Sequence, residues 1–141
     1  MEPIDISGLP LDALLVLDSA PIIYLLEDHP RLRRRFEPLF ASHAAGHVRF
    51  AVTTITIAEV LTGPLGAGEE VLARRYRSIL ESWQVVDMDA GIAESAARMR
   101  GLFRLKLAEA VQVASALAIN ADALVTHDRD FSSVTGLRVI S

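Results

Sequence analysis

The sequence predicts an α/β fold with a mainly parallel, two-sided sheet, and three observations lead there. Short apolar runs are separated by stretches of helical periodicity, so successive strands need crossover connections and pair in parallel. The runs Ala13-Leu14-Leu15-Val16-Leu17 and Ala123-Leu124-Val125-Thr126 are apolar without alternation, as strands buried on both faces are. Finally, 51% of the 141 residues are hydrophobic and no linker-like break interrupts them, which fits a single domain over 1–141 with an N-terminal extension at 1–12.

The elements follow in order. Residues 13–17 form the first strand, and Pro21 suits the first turn of a helix through Glu27. Pro30 starts a second helix, from Arg31 to about Ala45. Leu32, Phe36, Leu39 and Phe40 recur in it at helical spacing, and Gly46 stops it. Val48 to Thr53 is the second strand. Thr53 or Thr54 caps a short helix, Ile55 to Thr62, which Gly63-Pro64 ends. Glu69 to Ser82 is helical, and Gln84-Val85-Val86 is a third strand. Asp89 caps a helix from Ala90 to Phe103, with Ile92, Ala96, Met99 and Phe103 on one face. A last helix, Leu107 to Asn120, carries the stripe Ala110, Val113, Ala114, Leu117 and Ala118. Residues 123–126 and 137–140 supply the final strands.

Composition excludes several classes. Cysteine is absent, which rules out disulfides and thiolate metal sites and favours a reducing, cytoplasmic setting. No basic and apolar leader opens the chain, and no apolar run approaches membrane-spanning length. A net charge of −4 argues against holding nucleic acid by a general positive field, though not against local contacts. Thirteen of the fourteen basic residues are arginine. They cluster at Arg31/Arg33/Arg34/Arg35, Arg74/Arg75/Arg77 and Arg98/Arg100/Arg104/Lys106, where they read first as solvated helix faces.

Asp18, Glu59, Glu109 and Asp128 stand out. Asp18 and Asp128 follow the two most apolar strands at their carboxyl ends, where open α/β sheets bind ligands, and Glu59 and Glu109 lie on helices able to reach the same crevice. If the four converge at ~4 to 5 Å, each ionised pair repels by roughly 3 to 4 kcal/mol at an effective dielectric of ~20. Such a cluster needs a cation or protons. With oxygen donors only, Mg²⁺ or Mn²⁺ is the natural guest, able to activate water for attack on a phosphodiester. Each acid also has an ordinary explanation. Asp18 could be a helix cap, Glu59 a solvated residue, and Asp128 and Asp130 turn residues, while Glu109 borders an apolar stripe. His43 and His47 lie at i, i+4, but Gly46 between them and the lack of a nearby acid favour surface residues. His127 neighbours Asp128, and strand alternation would point it the other way.

Three stretches carry a resemblance. They are Leu17-Asp18-Ser19-Ala20-Pro21-Ile22-Ile23-Tyr24, Thr53-Thr54-Ile55-Thr56-Ile57-Ala58-Glu59-Val60-Leu61, and Ala108-Glu109-Ala110-Val111-Gln112-Val113 leading into Leu124-Val125-Thr126-His127-Asp128-Arg129-Asp130-Phe131. In that order the chain resembles PIN-domain ribonucleases, the VapC-type toxins of bacterial toxin–antitoxin pairs. The resemblance implies a three-layer α/β/α fold with about four to five strands, and a Mg²⁺- or Mn²⁺-dependent endoribonuclease. Its catalytic carboxylates would be Asp18, Glu59, Glu109 and Asp128, with Asp18, Asp128 and Glu109 on the metal and Ser19, Thr126 and Asp130 in support. It further implies an RNA substrate, a homodimer and a small antitoxin partner.

Two positions depart from the family pattern. Ala20 stands where many members have Asn, and Glu109 stands where Asp is usual, after Leu107-Ala108 rather than Thr-Pro. Glu keeps the charge but adds about 1.5 Å of reach. These departures keep open a second reading, a weakened module that binds RNA or an antitoxin without efficient turnover. A third, phosphotransfer through an aspartyl nucleophile at Asp18, fits the strand end but finds Ala20 where a second acid would serve.

Overall fold

The computed structural model describes residues 2–141. Its five strands are β1 (Ala13–Leu17), β2 (Val48–Thr53), β3 (Gln84–Val86), β4 (Ala123–Val125) and β5 (Val139–Ile140). They form one sheet in the order β3-β2-β1-β4-β5, every neighbouring pair parallel. Seven α-helices connect them: α1 (Ser19–Leu26), α2 (Leu32–Arg35), α3 (Glu37–Ala44), α4 (Thr54–Gly66), α5 (Glu70–Glu81), α6 (Ala90–Phe103) and α7 (Leu107–Ala118).

The central strand explains the three layers. All five residues of β1 are buried, and successive side chains face opposite sides of the sheet. Leu15 and Leu17 enter a core with Ile22, Phe36, Leu39, Val60, Tyr76 and Leu80, beneath α1, α3, α4 and α5. Leu14 and Val16 enter the other, with Ile92, Ala96, Ala110, Val113 and Ala114 from α6 and α7. The segment before β1 packs on the first core through Ile4, which is buried and whose N–H donates to the Arg35 carbonyl at 2.8 Å.

The chain leaves β1 towards β2 on one side and returns to β4 on the other. The carboxyl ends of β1 and β4 therefore flank a topological switch point. Leu17 pairs with Val125, and the Asp18 N–H donates to the Val125 carbonyl at 2.8 Å. That register sets the residues after the two strands, Asp18 and Thr126, side by side.

Two helix boundaries differ from expectation. The helix expected over 31–45 is two helices, broken at Phe36. Pro38 lies in the first turn of α3 and has no N–H to continue the ladder. Conversely, Gly63-Pro64 does not stop α4, which runs on to Gly66 with a buried Pro64 inside its last turn. One missing donor there is a small loss, and the stop comes instead at Gly68, whose φ of +73° suits only glycine comfortably.

Candidate active site

A cleft of about 800 Å³ opens over the ends of β1 and β4, and Asp18, Glu59, Glu109 and Asp128 all line it, with Ser19 and Ala20. Asp18 sits at its floor as the N-cap of α1, with Oδ1 accepting from the Ser19 N–H at 2.9 Å. The Gln112 side-chain amide donates to the same oxygen at 3.0 Å, and the Thr126 hydroxyl donates to Oδ2 at 2.8 Å. Three donors from three elements thus fix one carboxylate.

Gln112 is itself held. Its Oε1 accepts from the Thr53 hydroxyl at 2.7 Å, and its Nε2 also donates to Thr56 Oγ1 at 2.6 Å. Thr53 in turn caps α4 through the Thr56 N–H at 3.1 Å. Thr53, Thr56, Gln112 and Thr126 are all buried, so this chain of hydrogen bonds runs in a low-dielectric setting.

The tightest acidic group is Glu109, Asp128 and Asp130, which bring carboxylate oxygens within 4.8 Å of one another. Burial first, and then the hydrogen-bonding carboxylates of Asp130 and Asp128, push Glu109 up to about 7 against the opposing pull of the Lys106 N–H. That N–H donates to Glu109 Oε1 at 2.8 Å, so the longer side chain reaches back to cap its own helix. Glu59 is raised by burial first and by the Asp18 charge second. Asp128 caps the 3₁₀ turn Arg129–Ser133, its Oδ1 accepting from the Asp130 N–H at 2.8 Å.

Of the expected supporting residues, Thr126 lies buried beneath Asp18, Ser19 is on the rim, and Asp130 stands within the tight acidic group. The expected metal set of Asp18, Asp128 and Glu109 overlaps that group at Glu109 and Asp128, while Asp18 is engaged by its three donors. The donor set suits a hard divalent cation, being all oxygen and mutually repelling, with Glu109 and Asp128 open to the cleft.

His127 does not point away, contrary to strand alternation. The Asp128 N–H donates to Thr126 Oγ1 at 3.0 Å, which curls the backbone so that residues 127 and 128 line the same cleft. His43 is no plain surface residue either, since its ring stacks on Phe50 with centroids 4.0 Å apart. Sequence reasoning also passed over Gln112, Lys106, Tyr24 and Arg129, which all line the cleft. Gln112 had a signal, a lone amide three residues after Glu109 within an apolar stripe.

Three of the ten clustered arginines pair with nearby acids. Arg33 pairs with Asp28 at 2.6 Å, Arg77 with Glu81 at 2.8 Å and Arg98 with Glu94 at 2.7 Å. A separate depression of about 700 Å³, bordered by β3, α6 and α7, shows no comparable convergence, since its Asp89 caps α6 through the Ile92 N–H.

The sequence pattern of the family described as PIN domain matches residues 15–137. No curated protein matches the chain. Among solved structures, a toxin–antitoxin complex from Klebsiella pneumoniae is similar at 23% identity and a TM-score of 0.71, covering 90% of this chain and 96% of that one. VapBC2 from Rickettsia felis, bound to a DNA fragment from its promoter, is similar at 19% identity and a TM-score of 0.70, covering 89% and 96%. Mycobacterium tuberculosis VapC20, described as a sarcin-ricin loop cleaving toxin, is similar at 15% identity and a TM-score of 0.66, covering 90% and 99%. Likeness at these identities is a likeness of fold.

Proposed function

This chain belongs to the PIN domain family, and from that premise we propose that it is a metal-dependent endoribonuclease, the toxin of a toxin–antitoxin pair. The observation that carries the reading is the convergence of Asp18, Glu59, Glu109 and Asp128 on one cleft at the switch point of the sheet. Glu109, Asp128 and Asp130, with Asp18 at the floor, would hold Mg²⁺ or Mn²⁺. When bound, the ion supplies Lewis acidity to a phosphodiester and lowers the pKa of a water.

The chain's own residues do the rest. Ser19, Gln112 and Thr126 orient the Asp18 carboxylate so that it does not rotate as charge develops nearby. Glu59, raised by burial and by Asp18, is placed to take a proton from an attacking water. Lys106 and Arg129, on the cleft rim, offer cations to phosphate oxygens of single-stranded RNA. A small antitoxin partner, supported by the toxin–antitoxin complexes among the similar folds, and a homodimer complete the proposal.

The direct test is cleavage of RNA in Mg²⁺ or Mn²⁺, abolished both by EDTA and by Asp18→Asn. Cleavage that survives both refutes the reading. One observation favours the weakened binding module: the Lys106 N–H already engages an oxygen of Glu109. That module would bind RNA or antitoxin under the same conditions and release no product.

A further inference from the structure

The acids and cations of the cleft account for metal and phosphate, but not for the aromatic part of its wall. Tyr24 and His127 line the cleft together with Lys106 and Arg129. Tyr24 Oη and His127 Nδ1 are 2.9 Å apart. Their rings meet edge to face, with centroids 5.5 Å apart and planes at 82°. Phe36, fully buried, meets His127 in the same way at 5.8 Å and 83°.

His127 is therefore held through one nitrogen and packed against two rings, which leaves its imidazole a single orientation. It remains only half-buried, while the rings that brace it lie deeper or beside it. Among the described residues its one side-chain hydrogen bond is to Tyr24, so no acid of the site claims it. Its Cα lies about 3.8 Å from that of Asp128, as for any consecutive pair, so a nucleotide whose phosphate meets the acids has its base within reach. A rigid π-face beside cationic backbone contacts is how single-stranded nucleic acids are held.

We propose that His127 is a nucleobase-stacking residue of the cleft and that Tyr24 is the positioning residue that locks its ring. The inference rests on the ribonuclease reading and deepens it, naming the side chain on which a base of the unpaired RNA would stack.

The test uses the full chain and a single-stranded oligoribonucleotide carrying 2-aminopurine at successive positions, with Ca²⁺ replacing Mg²⁺ to hold back hydrolysis. The parent is expected to quench fluorescence at one position. His127→Ala should relieve that quenching and weaken binding about 10-fold or more, the scale of a lost base stack. His127→Phe, which keeps a π-face, should retain both quenching and affinity. Tyr24→Phe, which removes only the hydroxyl, should give partial quenching and, in Mg²⁺, a raised KM with kcat within about threefold of the parent. His127→Asn serves in place of the alanine variant if that fails to fold, since it too has no π-face.

Quenching and affinity unchanged in His127→Ala overturn the stacking role. So does equal loss in His127→Phe and His127→Ala, because a polar contact would then be what the RNA feels. Unchanged quenching and KM in Tyr24→Phe overturn the positioning role. A parent that neither binds nor cleaves RNA overturns the ribonuclease reading itself, and this inference with it.

Discussion

At the scale of single residues, Glu109 concentrates the most chemistry. Its carboxylate serves a helix terminus and an acidic cluster at once, because the added carbon lets Oε1 meet the Lys106 N–H at 2.8 Å. Shortening it should free the acid for the cleft. Glu109→Asp is expected to raise the cleavage rate by up to ~10²-fold, the scale that a displacement of about 1 Å sets, and single-turnover assays will read it. A variant no faster than the parent refutes this account of the position. Gln112 makes the complementary prediction. Gln112→Leu leaves Thr53 and Thr56 without their buried partner, so it should cost roughly 2 to 3 kcal/mol in urea denaturation and lower kcat by loosening Asp18. Asp18, Glu59, Glu109 and Asp128 could be singled out in the sequence because each follows the end of an apolar run or lies just inside a helical segment. His127 and Tyr24 could not, because their placement depends on a side-chain contact between residues 103 apart, whereas Gln112 left the weaker signal of a lone amide in an apolar stripe.

At the scale of elements, β1 and β4 were legible because complete burial leaves an unbroken apolar signature, and helices such as α6 because their inward residues recur at helical spacing. β1 and β4 have no exposed residue. Where two local rules competed, the sequence was ambiguous. Helical spacing of Leu32, Phe36, Leu39 and Phe40 spans a real interruption, because periodicity does not register the hydrogen bond that Pro38 removes. Gly63-Pro64 looks like a stop, yet α4 keeps its last turn because Pro64 is buried there and the following N–H groups of Ala67 and Gly68 still find acceptors. Asp89 is a cap remote from the acids of the cleft. Asp89→Ala should therefore cost about 1 kcal/mol of stability and leave cleavage unchanged, measured by thermal melting alongside the RNA assay.

For the whole molecule, the acidic cluster links folding to pH. Burial and the neighbouring carboxylates push Glu109 up to about 7 in the folded chain, from an ordinary glutamate value of 4.5. Between those values the folded state binds more protons than the unfolded state, so its contribution is present at low pH and is lost as pH rises through 4.5 to 7. Without divalent ions, the difference in melting temperature between Glu109→Gln and the parent should widen in favour of the variant as pH rises from about 5 to 8. Adding Mn²⁺ at pH 8 should stabilise the parent more than the variant, because a cation replaces the proton as counter-charge. A difference that does not change with pH excludes this linkage. No helix of the described residues is long and apolar enough to cross a membrane.

Asp18 has one more implication. The carboxylate that starts α1 is the one that Gln112 and Thr126 aim at the crevice, so forming the helix and setting the reactive group are a single event. Asparagine starts helices about as well as aspartate and would leave the scaffold intact while removing the charge, whereas alanine would unsettle both. Under the proposed function, a partner that restrains the chain would therefore have to cover a finished site rather than delay its assembly.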